Sequence, residues 1–404
     1  MRRTSLLWAV MLGGVVTALG GCPDPETGTP DAPVDMTVAT PFHVMGTVVG
    51  NADSPLVNAT VKVGASVVAT GNDGGFSATL SGVKYPVPMS ISAPGYVPFI
   101  TQLTAESMNV KYRLQRLTEV SFPSNVFALT ISDPSSGAVV SIPADGLQAV
   151  GGAAPDGEIT LALRFVDPSR QPTPGGDAAI GQKGEPLVID SLGVIYVTAR
   201  DSKGTALQLK QGVSMTVLIP LTADRVAMAP SDAGLWTLDA TKAAWVQDVI
   251  SGGAPANVQR RTTSFSCKDK QTDPCDILHC STVSTQAWVG QASSFGFLSA
   301  STTFDKSACL RVEVNQPEQI CLRFESPSAG AIKVKESCYG QGKHVLYNLA
   351  PNMPVTVKTS TQGASCGPDL SAGTQANPGE VWGGTGLPTD ASACKGSIVI
   401  PPKP

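Results

Sequence analysis

The sequence predicts an all-β fold, made of two or three consecutive β-sandwich domains that follow an N-terminal leader and a Pro-rich tether. Three observations predict it. Short runs alternate apolar and polar residues with a period of two, as half-buried strands do. The 404 residues include 41 Gly and 32 Pro beside 42% apolar residues, a mixture typical of short strands joined by turns. Beyond the leader, no stretch of about fifteen residues has a convincing helical period.

The first element is an export signal. Arg2 and Arg3 precede an apolar run that extends from Leu6 to Leu19. Spanning a bilayer takes about 20 apolar residues, so this run is better sized for the core of a signal peptide. Export would place the folded part of the chain outside the cytoplasm.

The end of this leader carries a modification motif. Leu19-Gly20-Gly21-Cys22 resembles the lipobox of bacterial lipoproteins, in which the cysteine thiolate accepts a diacylglyceryl group. The resemblance implies that residues 1–21 are a lipoprotein signal peptide and that Cys22 becomes the lipidated N-terminus, with a further acyl chain such as palmitate on its amine. Two or more chains anchor a protein stably to a membrane. An ordinary secretory signal that happens to contain a cysteine is the alternative.

Residues 22–41 form the second element, a tether. They are acidic and rich in proline, and they show no apolar period. Such a segment is a semi-rigid spacer that holds a folded domain away from a surface. We therefore expect a membrane-anchored lipoprotein of the bacterial cell envelope, facing the periplasm or the cell surface, with the choice between inner and outer membrane left open.

Charge excludes one class of partner. The net charge is −4 and the sequence pI is about 5.5. No cluster of Lys and Arg exceeds two or three residues, so the chain lacks the basic footprint of a nucleic-acid-binding protein.

The nine cysteines indicate the compartment and a covalent framework. Apart from Cys22 they all fall in the last third of the chain: Cys267, Cys275, Cys280, Cys309, Cys321, Cys338, Cys366 and Cys394. An even number in an exported chain predicts up to four disulfides, whose connectivity the sequence leaves open. Cys366 with Cys394, and Cys309 with Cys321 or Cys338, are two of the pairings to consider. A metal site around Cys275, His279 and Cys280 is the alternative, but the spacing matches no zinc pattern, and no metal is predicted.

The first folded part covers residues 42–117. Its strand patterns are separated by turn signals, of which Asn72-Asp73-Gly74-Gly75 is the densest. Gly46-Thr47-Val48, Pro55 to Val61, Asn72 to Phe76 and Ser92 to Tyr96 occur in the order found in the carboxypeptidase regulatory-like domain, which this part resembles. The resemblance implies a transthyretin-like β-sandwich that serves as a scaffold or binding module and contains no catalytic residues.

The second part covers residues 118–266 and is predicted to be another β-sandwich. Its main strand patterns are Ala138–Ile142, Glu158–Phe165, Val194–Ala199 and Ser214–Ile219. Trp236–Asp239 and Ala244–Val246 predict a hairpin whose two tryptophans, Trp236 and Trp245, lie on or near one face.

This second part loosely resembles the extracellular β-sandwich module of the cartilage intermediate layer proteins. The matching segments are Ile142–Leu147, Asp190–Val194, Gly204–Leu209, Gly212-Val213, Leu235-Trp236 and Trp245. Ser294–Phe297 and Asp305–Cys309 fit the end of that pattern, although a tryptophan frequent in the family is absent there. The resemblance implies an extracellular structural or adhesive role.

The third part, residues 267–404, contains all the disulfide candidates. Cys309–Val314, Ile320–Phe324 and Ala331–Lys335 alternate cleanly, and Val355–Lys358 adds a fourth candidate strand. Beyond Thr361 the sequence is mostly Gly, Ser, Pro and other small residues. Such loops bury little apolar area, so disulfides are expected to supply the order in a small Cys-rich β domain.

Catalytic motifs are missing from the sequence. The three histidines, His43, His279 and His344, lie in no triad or metallopeptidase context, since neither Gly-x-Ser-x-Gly nor His-Glu-x-x-His occurs. The Gly-rich loop Pro172–Asp177 lacks the Lys or second spaced Gly of a phosphate-binding loop. The sequence therefore predicts no enzyme, no catalytic residue and no cofactor.

Two functions remain as hypotheses. The first is a lipid-anchored envelope or surface protein with a structural, adhesive or ligand-binding role, whose partner is a polysaccharide or an envelope protein. It expects exposed aromatic side chains, with Trp288, Tyr339, Tyr347 and Trp382 as candidates. The second is an exported hydrolase or carbohydrate-active enzyme with dispersed acidic residues, which needs two carboxylates about 5–10 Å apart in one cleft and a raised pKa.

Overall fold

The computed structural model describes residues 41–400, apart from 83–86, 104–105, 124–127, 170, 223–225, 227–228, 251–252, 264–282, 305–307, 318–319, 329–330, 350–353, 360–373, 377–393 and 395. Over these residues the regular structure consists of 28 β-strands and one 3-10 turn, Asn51–Asp53. The all-β prediction is confirmed. The leader, the tether and Cys22 lie outside the described residues.

The first sandwich has two sheets around one apolar core. Its strands are β1 (Phe42–Val49), β2 (Thr60–Val63), β3 (Ser66–Ala69), β4 (Gly75–Leu80), β5 (Val87–Ser92), β6 (Phe99–Leu103) and β7 (Ser107–Arg113). The sheet orders are β4-β1-β7 and β3-β2-β5-β6. Strand β1 is antiparallel to β4 and parallel to β7. Alternation of buried and exposed residues along β2 and β4 turns Val61, Val63 and Phe76 into the core.

The predicted turn at Asn72 to Gly75 forms in this sandwich. Gly74 has a φ of +74°, a left-handed conformation that a side chain disfavours. The Asp73 carboxylate accepts a 2.8 Å hydrogen bond from the backbone N–H of Gly75, and Val48 donates its backbone N–H to the Gly74 carbonyl at 2.8 Å. The turn therefore joins β4 to β1 as the sequence indicates.

The central sandwich is the largest part of the molecule. Its strands are β8 (Thr118–Phe122), β9 (Ala128–Ser132), β10 (Val139–Pro143), β11 (Leu147–Ala149), β12 (Ile159–Val166), β13 (Ala178–Ile180), β14 (Pro186–Asp201), β15 (Leu207–Leu209), β16 (Met215–Thr222), β17 (Asp232–Asp239), β18 (Ala244–Gln247), β19 (Asn257–Thr262), β20 (Val283–Ala292) and β21 (Gly296–Phe304). Twelve of them form one sheet, in which the order runs β8-β12-β14-β13-β18-β17-β19-β20-β16-β10-β9 and β21 pairs with both β14 and β17. Because β21 joins two strands that are apart in this order, the sheet folds over on itself and encloses one core.

The structure places β20 and β21 in the central sheet, although the sequence pattern groups these residues with the Cys-rich third part. Strand β20 pairs with β16 on one side and β19 on the other. Trp288 and Leu298 enter the central core and are fully buried there. The physical reason is that β16 and β19 would otherwise present open edges, which β20 satisfies with backbone hydrogen bonds.

The third sandwich begins only after β21. Its strands are β22 (Ala308–Val314), β23 (Ile320–Ser328), β24 (Ala331–Tyr339), β25 (Gly342–Leu349), β26 (Val355–Thr359), β27 (Thr374–Ala376) and β28 (Gly396–Ile400). The sheet orders are β25-β22-β28 and β24-β23-β26-β27. Strand β28 runs parallel to β22 and lies in the stretch that the sequence suggests is mostly loop. Leu310, Phe324 and Tyr339 form the centre of its core.

The first and central sandwiches share a packed interface. Val97 and Leu117 of the first part lie in one apolar cluster with Trp245 of the central part, and Ile100 packs against it. Gly175 donates its backbone N–H to the Ile100 carbonyl at 2.8 Å, and Gln102 Nε2 donates to the Ala243 carbonyl at 3.1 Å. Apolar burial combined with directional hydrogen bonds fixes the orientation of these two sandwiches.

Candidate functional site

The disulfide framework is the first predicted site that the structure tests. Cys309 and Cys394 are bonded to each other across a sequence separation of 85 residues. This pairing differs from both of the pairings considered for these two cysteines from the sequence. It joins β22 to the segment that leads into β28, its parallel neighbour, so tertiary proximity rather than spacing determines the partner.

The remaining cysteines are only partly covered. Cys321 is also disulfide-bonded, and the backbone of Cys338 lies directly opposite it in the β23–β24 pair. Cys267, Cys275, Cys280 and Cys366 lie outside the described residues, as does His279 of the alternative metal site. Within the described ranges, no group of three or more His, Cys, Asp or Glu side chains is arranged to hold a metal ion.

The aromatic residues proposed as exposed binding platforms are not exposed. Trp288 and Tyr339 both have 0% of their surface accessible, and each belongs to the core of its sandwich. Their strands turn these rings inward because each contributes a large apolar area to the core. The side chain of Tyr347 and the whole of Trp382 lie outside the described residues.

A solvent-open cleft of about 430 Å³ lies on the outer face of the central sheet. It is bordered by the turn between β13 and β14, the starts of β17 and β19, and the ends of β18 and β21. Its volume falls within the range usual for small-molecule sites. The lining residues are Gly181, Gln182, Lys183, Glu185, Leu187, Asp232, Ala233, Gly234, Trp236, Gln247, Asn257, Ser301, Thr302 and Thr303.

Strand register explains why polar side chains gather around one tryptophan in this cleft. Trp236 lies opposite Gln247 of β18, and Gly234 lies opposite Asn257 of β19. On the other edge of β17, Gly234 lies opposite Ser301. Directly paired residues point to the same face of a sheet, and so do residues two apart on one strand. The amides and the hydroxyl therefore share the face of Trp236, which none of them shares with in a local motif.

Trp236 sits at the base of the cleft with its N–H edge toward Gly234. Only 2% of its surface is accessible. A Cβ added at Gly234 would lie 2.7 Å from the indole Nε1, so the glycine leaves the room that the ring edge occupies. Among the described atoms Nε1 has no hydrogen-bond partner. The cleft thus contains a buried donor that the described protein atoms do not satisfy.

A chain of buried hydroxyl groups backs the cleft. Ser301, which lines it, shares a 2.7 Å hydrogen bond with Ser299, and Ser299 Oγ donates to Ser191 Oγ at 3.0 Å. All three serines are at most 1% exposed. Buried polar groups that satisfy one another stiffen their surroundings. The back wall is therefore a fixed surface rather than an adaptable one.

Two carboxylates, Glu185 and Asp232, also line the cleft. Glu185 accepts a 2.9 Å hydrogen bond from the backbone N–H of Lys183, which closes the β13–β14 turn. Asp232 accepts a 2.9 Å hydrogen bond from Ser231 Oγ. Both side chains are therefore bound to their own loops.

The pKa shifts of carboxyl groups in the described part of the chain run downward. A hydrogen bond from Thr241 is the main reason that the pKa of Asp239 falls to about 2. The bonded Arg200 lowers the pKa of Glu119. Burial alone would raise the pKa of Asp201, but hydrogen bonds from Thr205 and its neighbours together outweigh it and lower the pKa. A general acid of the hydrolase hypothesis needs the opposite shift.

The cleft was not predicted from the sequence. Trp236 was recognised only as a core aromatic, and the lining residues come from separate segments that β19 and β21 bring together. No spacing rule links Asn257 or Ser301 to Trp236. The one local signal is Gly234, two residues before a tryptophan on the same strand face, where a side chain would exclude the ring edge.

Among the described residues, no helix combines the length and the apolar character that crossing a bilayer requires.

Comparison with solved structures gives two likenesses of low score. The chain is similar to the major pilin subunit of Bacillus cereus over 89% of its own length and 99% of that chain, with 9% identity and a TM-score of 0.16. It is similar to a candidate membrane-associated protein of unknown function from Bacteroides fragilis over 65% of its length and 98% of that chain, with 7% identity and a TM-score of 0.16. No family model and no curated protein matches the sequence. At such TM-scores neither likeness bears on function.

Proposed function

We propose that this chain is a lipid-anchored protein of the bacterial cell envelope whose β-sandwiches form a rigid support with a ligand-binding role. The observation that carries the binding role is the polar cleft of the central sandwich, with its buried indole donor. Largely preformed clefts with a few convergent polar groups are the usual form of binding sites.

The rigid support is inferred from contacts on both sides of the first sandwich. Its Val97 and Leu117 are buried against the central sandwich. Cys321 of the third sandwich packs against its core. The third sandwich is in turn closed covalently by Cys309 and Cys394. A binding surface on such a body keeps its geometry under load, which suits a structural or adhesive role.

The membrane anchor rests on the sequence Leu19-Gly20-Gly21-Cys22. Its test is metabolic labelling with a radioactive fatty acid in a bacterial host, followed by separation of membrane and soluble fractions. Wild type should be labelled and sediment with membranes, and Cys22→Ser should be neither. Gly21→Ala is the matched control, because it keeps a small residue before the cysteine and should be labelled normally. Equal labelling of wild type and Cys22→Ser would refute the anchor.

The hydrolase is a second candidate because Glu185 and Asp232 line one cleft. It predicts turnover of polysaccharides or chromogenic glycosides that disappears in both Asp232→Asn and Glu185→Gln. Binding without turnover in the wild-type protein is the result that our proposal expects.

A further inference from the structure

We infer that the cleft of the central sandwich binds a neutral saccharide unit and that the indole N–H of Trp236 donates a hydrogen bond to it. This inference names the ligand class of the site in the proposed function and rests on that function only for its biological setting. It starts from the donor. Buried N–H groups in folded proteins nearly always have an acceptor.

Comparison with the other buried tryptophans shows why Trp236 is informative. Trp245 Nε1 donates to the Gly176 carbonyl at 2.9 Å and is satisfied within the protein. Trp288 Nε1 has no partner among the described atoms either, but that ring lies in the central core and does not line the cleft. Only Trp236 combines an unmatched donor with a space that a ligand can enter. An acceptor supplied by a ligand would complete its hydrogen bonding.

The lining indicates which ligand would supply that acceptor. Gln182, Gln247 and Asn257 present carboxamides, which both donate and accept hydrogen bonds, and Ser301 is the nearest of the hydroxyl groups. A ligand that matches such a set carries many groups of the same dual character. Sugar hydroxyl groups have it, whereas a phosphate or carboxylate only accepts.

Charge in the cleft excludes an anionic ligand as the best fit. Its ionisable lining residues are one cation, Lys183, and two anions, Glu185 and Asp232. The resulting surplus of negative charge repels phosphates and uronic acids and leaves neutral sugars unaffected. The indole is too deeply buried to serve as a stacking platform, so its contribution is the N–H edge rather than the ring face.

The test uses the full chain, purified from membranes in a mild detergent and labelled with 15N at tryptophan. Each of the five tryptophans gives one indole N–H resonance. Titrations with glucose, N-acetylglucosamine, glucuronate, inorganic phosphate and trialanine are followed at these resonances. We expect one of the two neutral sugars to shift a single indole resonance, and Trp236→Phe to remove that resonance.

Affinity of the variants then separates a direct contact from a structural effect. Trp236→Phe keeps an aromatic ring but removes the donor, and the loss of one hydrogen bond should weaken binding about fivefold. Asn257→Ala, at an exposed position, should weaken binding to a similar degree and serves if Trp236→Phe fails to fold. Trp245→Phe is the matched control: it removes an indole N–H that does not line the cleft and should leave affinity unchanged.

The outcomes are separable. A shift by phosphate, glucuronate or the peptide without one by either neutral sugar overturns the inference, as does the absence of any shift. Either result leaves the envelope anchor standing, since that depends on fatty-acid labelling of Cys22. Conversely, saccharide binding by a chain that proves not to be lipidated supports the ligand class and refutes the anchor.

Discussion

The bond between Cys309 and Cys394 should supply most of the stability of the third sandwich. It closes a loop of about 85 residues, for which the chain-entropy relation gives roughly 4.6 kcal/mol at 25 °C. The second bonded cysteine, Cys321, lies inside that loop, and a crosslink there shortens its free length. Because the entropy depends only on the logarithm of length, halving the loop removes about 0.6 kcal/mol. We therefore expect the double variant Cys309→Ala/Cys394→Ala to lose about 4 kcal/mol.

Hydrogen exchange in the native state measures this locally, without assuming that all sandwiches unfold together. In the double variant the amides of β22 and β28 should exchange about a thousandfold faster, which corresponds to about 4 kcal/mol. Central-sandwich amides should be unchanged. Val345→Ala is the matched control, since Val345 packs beside the disulfide and its truncation leaves the loop closed. Acceleration of β28 by less than about tenfold, or no more than in Val345→Ala, would refute the reasoning.

Three further predictions concern single side chains. Gly74→Ala should cost at least about 2 kcal/mol in thermal unfolding, because its φ is +74° and the new Cβ would collide with the Val48 carbonyl; Gly82→Ala, with φ +66° and open space, should cost only about 1 kcal/mol. Burial lowers the pKa of His344 from 6.5, so wild type should lose stability as pH falls below about 6.5, whereas His344→Gln should show a flatter profile between pH 7.5 and 5. Asp239, with a pKa lowered from 3.8 to about 2, stabilises the fold fully above about pH 4; acid titration should show the advantage over Asp239→Asn disappearing between pH 4 and 2.

Local features of the fold were predictable because neighbouring residues decide them. The hairpin of Trp236–Asp239 with Ala244–Val246 forms as predicted, and Leu238 lies opposite Trp245. Both tryptophans are buried in one cluster, as the alternation along these strands indicates. Turn chemistry at Asp73 and Gly74 acts over only a few residues, and its sequence signal is correspondingly direct.

Features that depend on distant pairing were not predictable. Strand β14 extends over Pro186–Asp201, far beyond the predicted Val194–Ala199, because β12, β13 and β21 all pair along it. Strand β28 forms in a region poor in apolar residues because β22 offers it a parallel edge. The cleft has the same origin: the register of β17 with β19 and β21 assembles it, and no property of Trp236 alone reveals that register.

The return of β20 and β21 to the central sheet has a consequence for how an exported chain acquires its structure. A chain that crosses a membrane N-terminus first delivers β16 and β19 well before β20, the strand that pairs with both. Until residue 292 has emerged, two apolar edges are open to mispairing with other chains. The first sandwich, complete by residue 117, has no such delay. Periplasmic holding factors would therefore be needed most during the interval between residues 222 and 292.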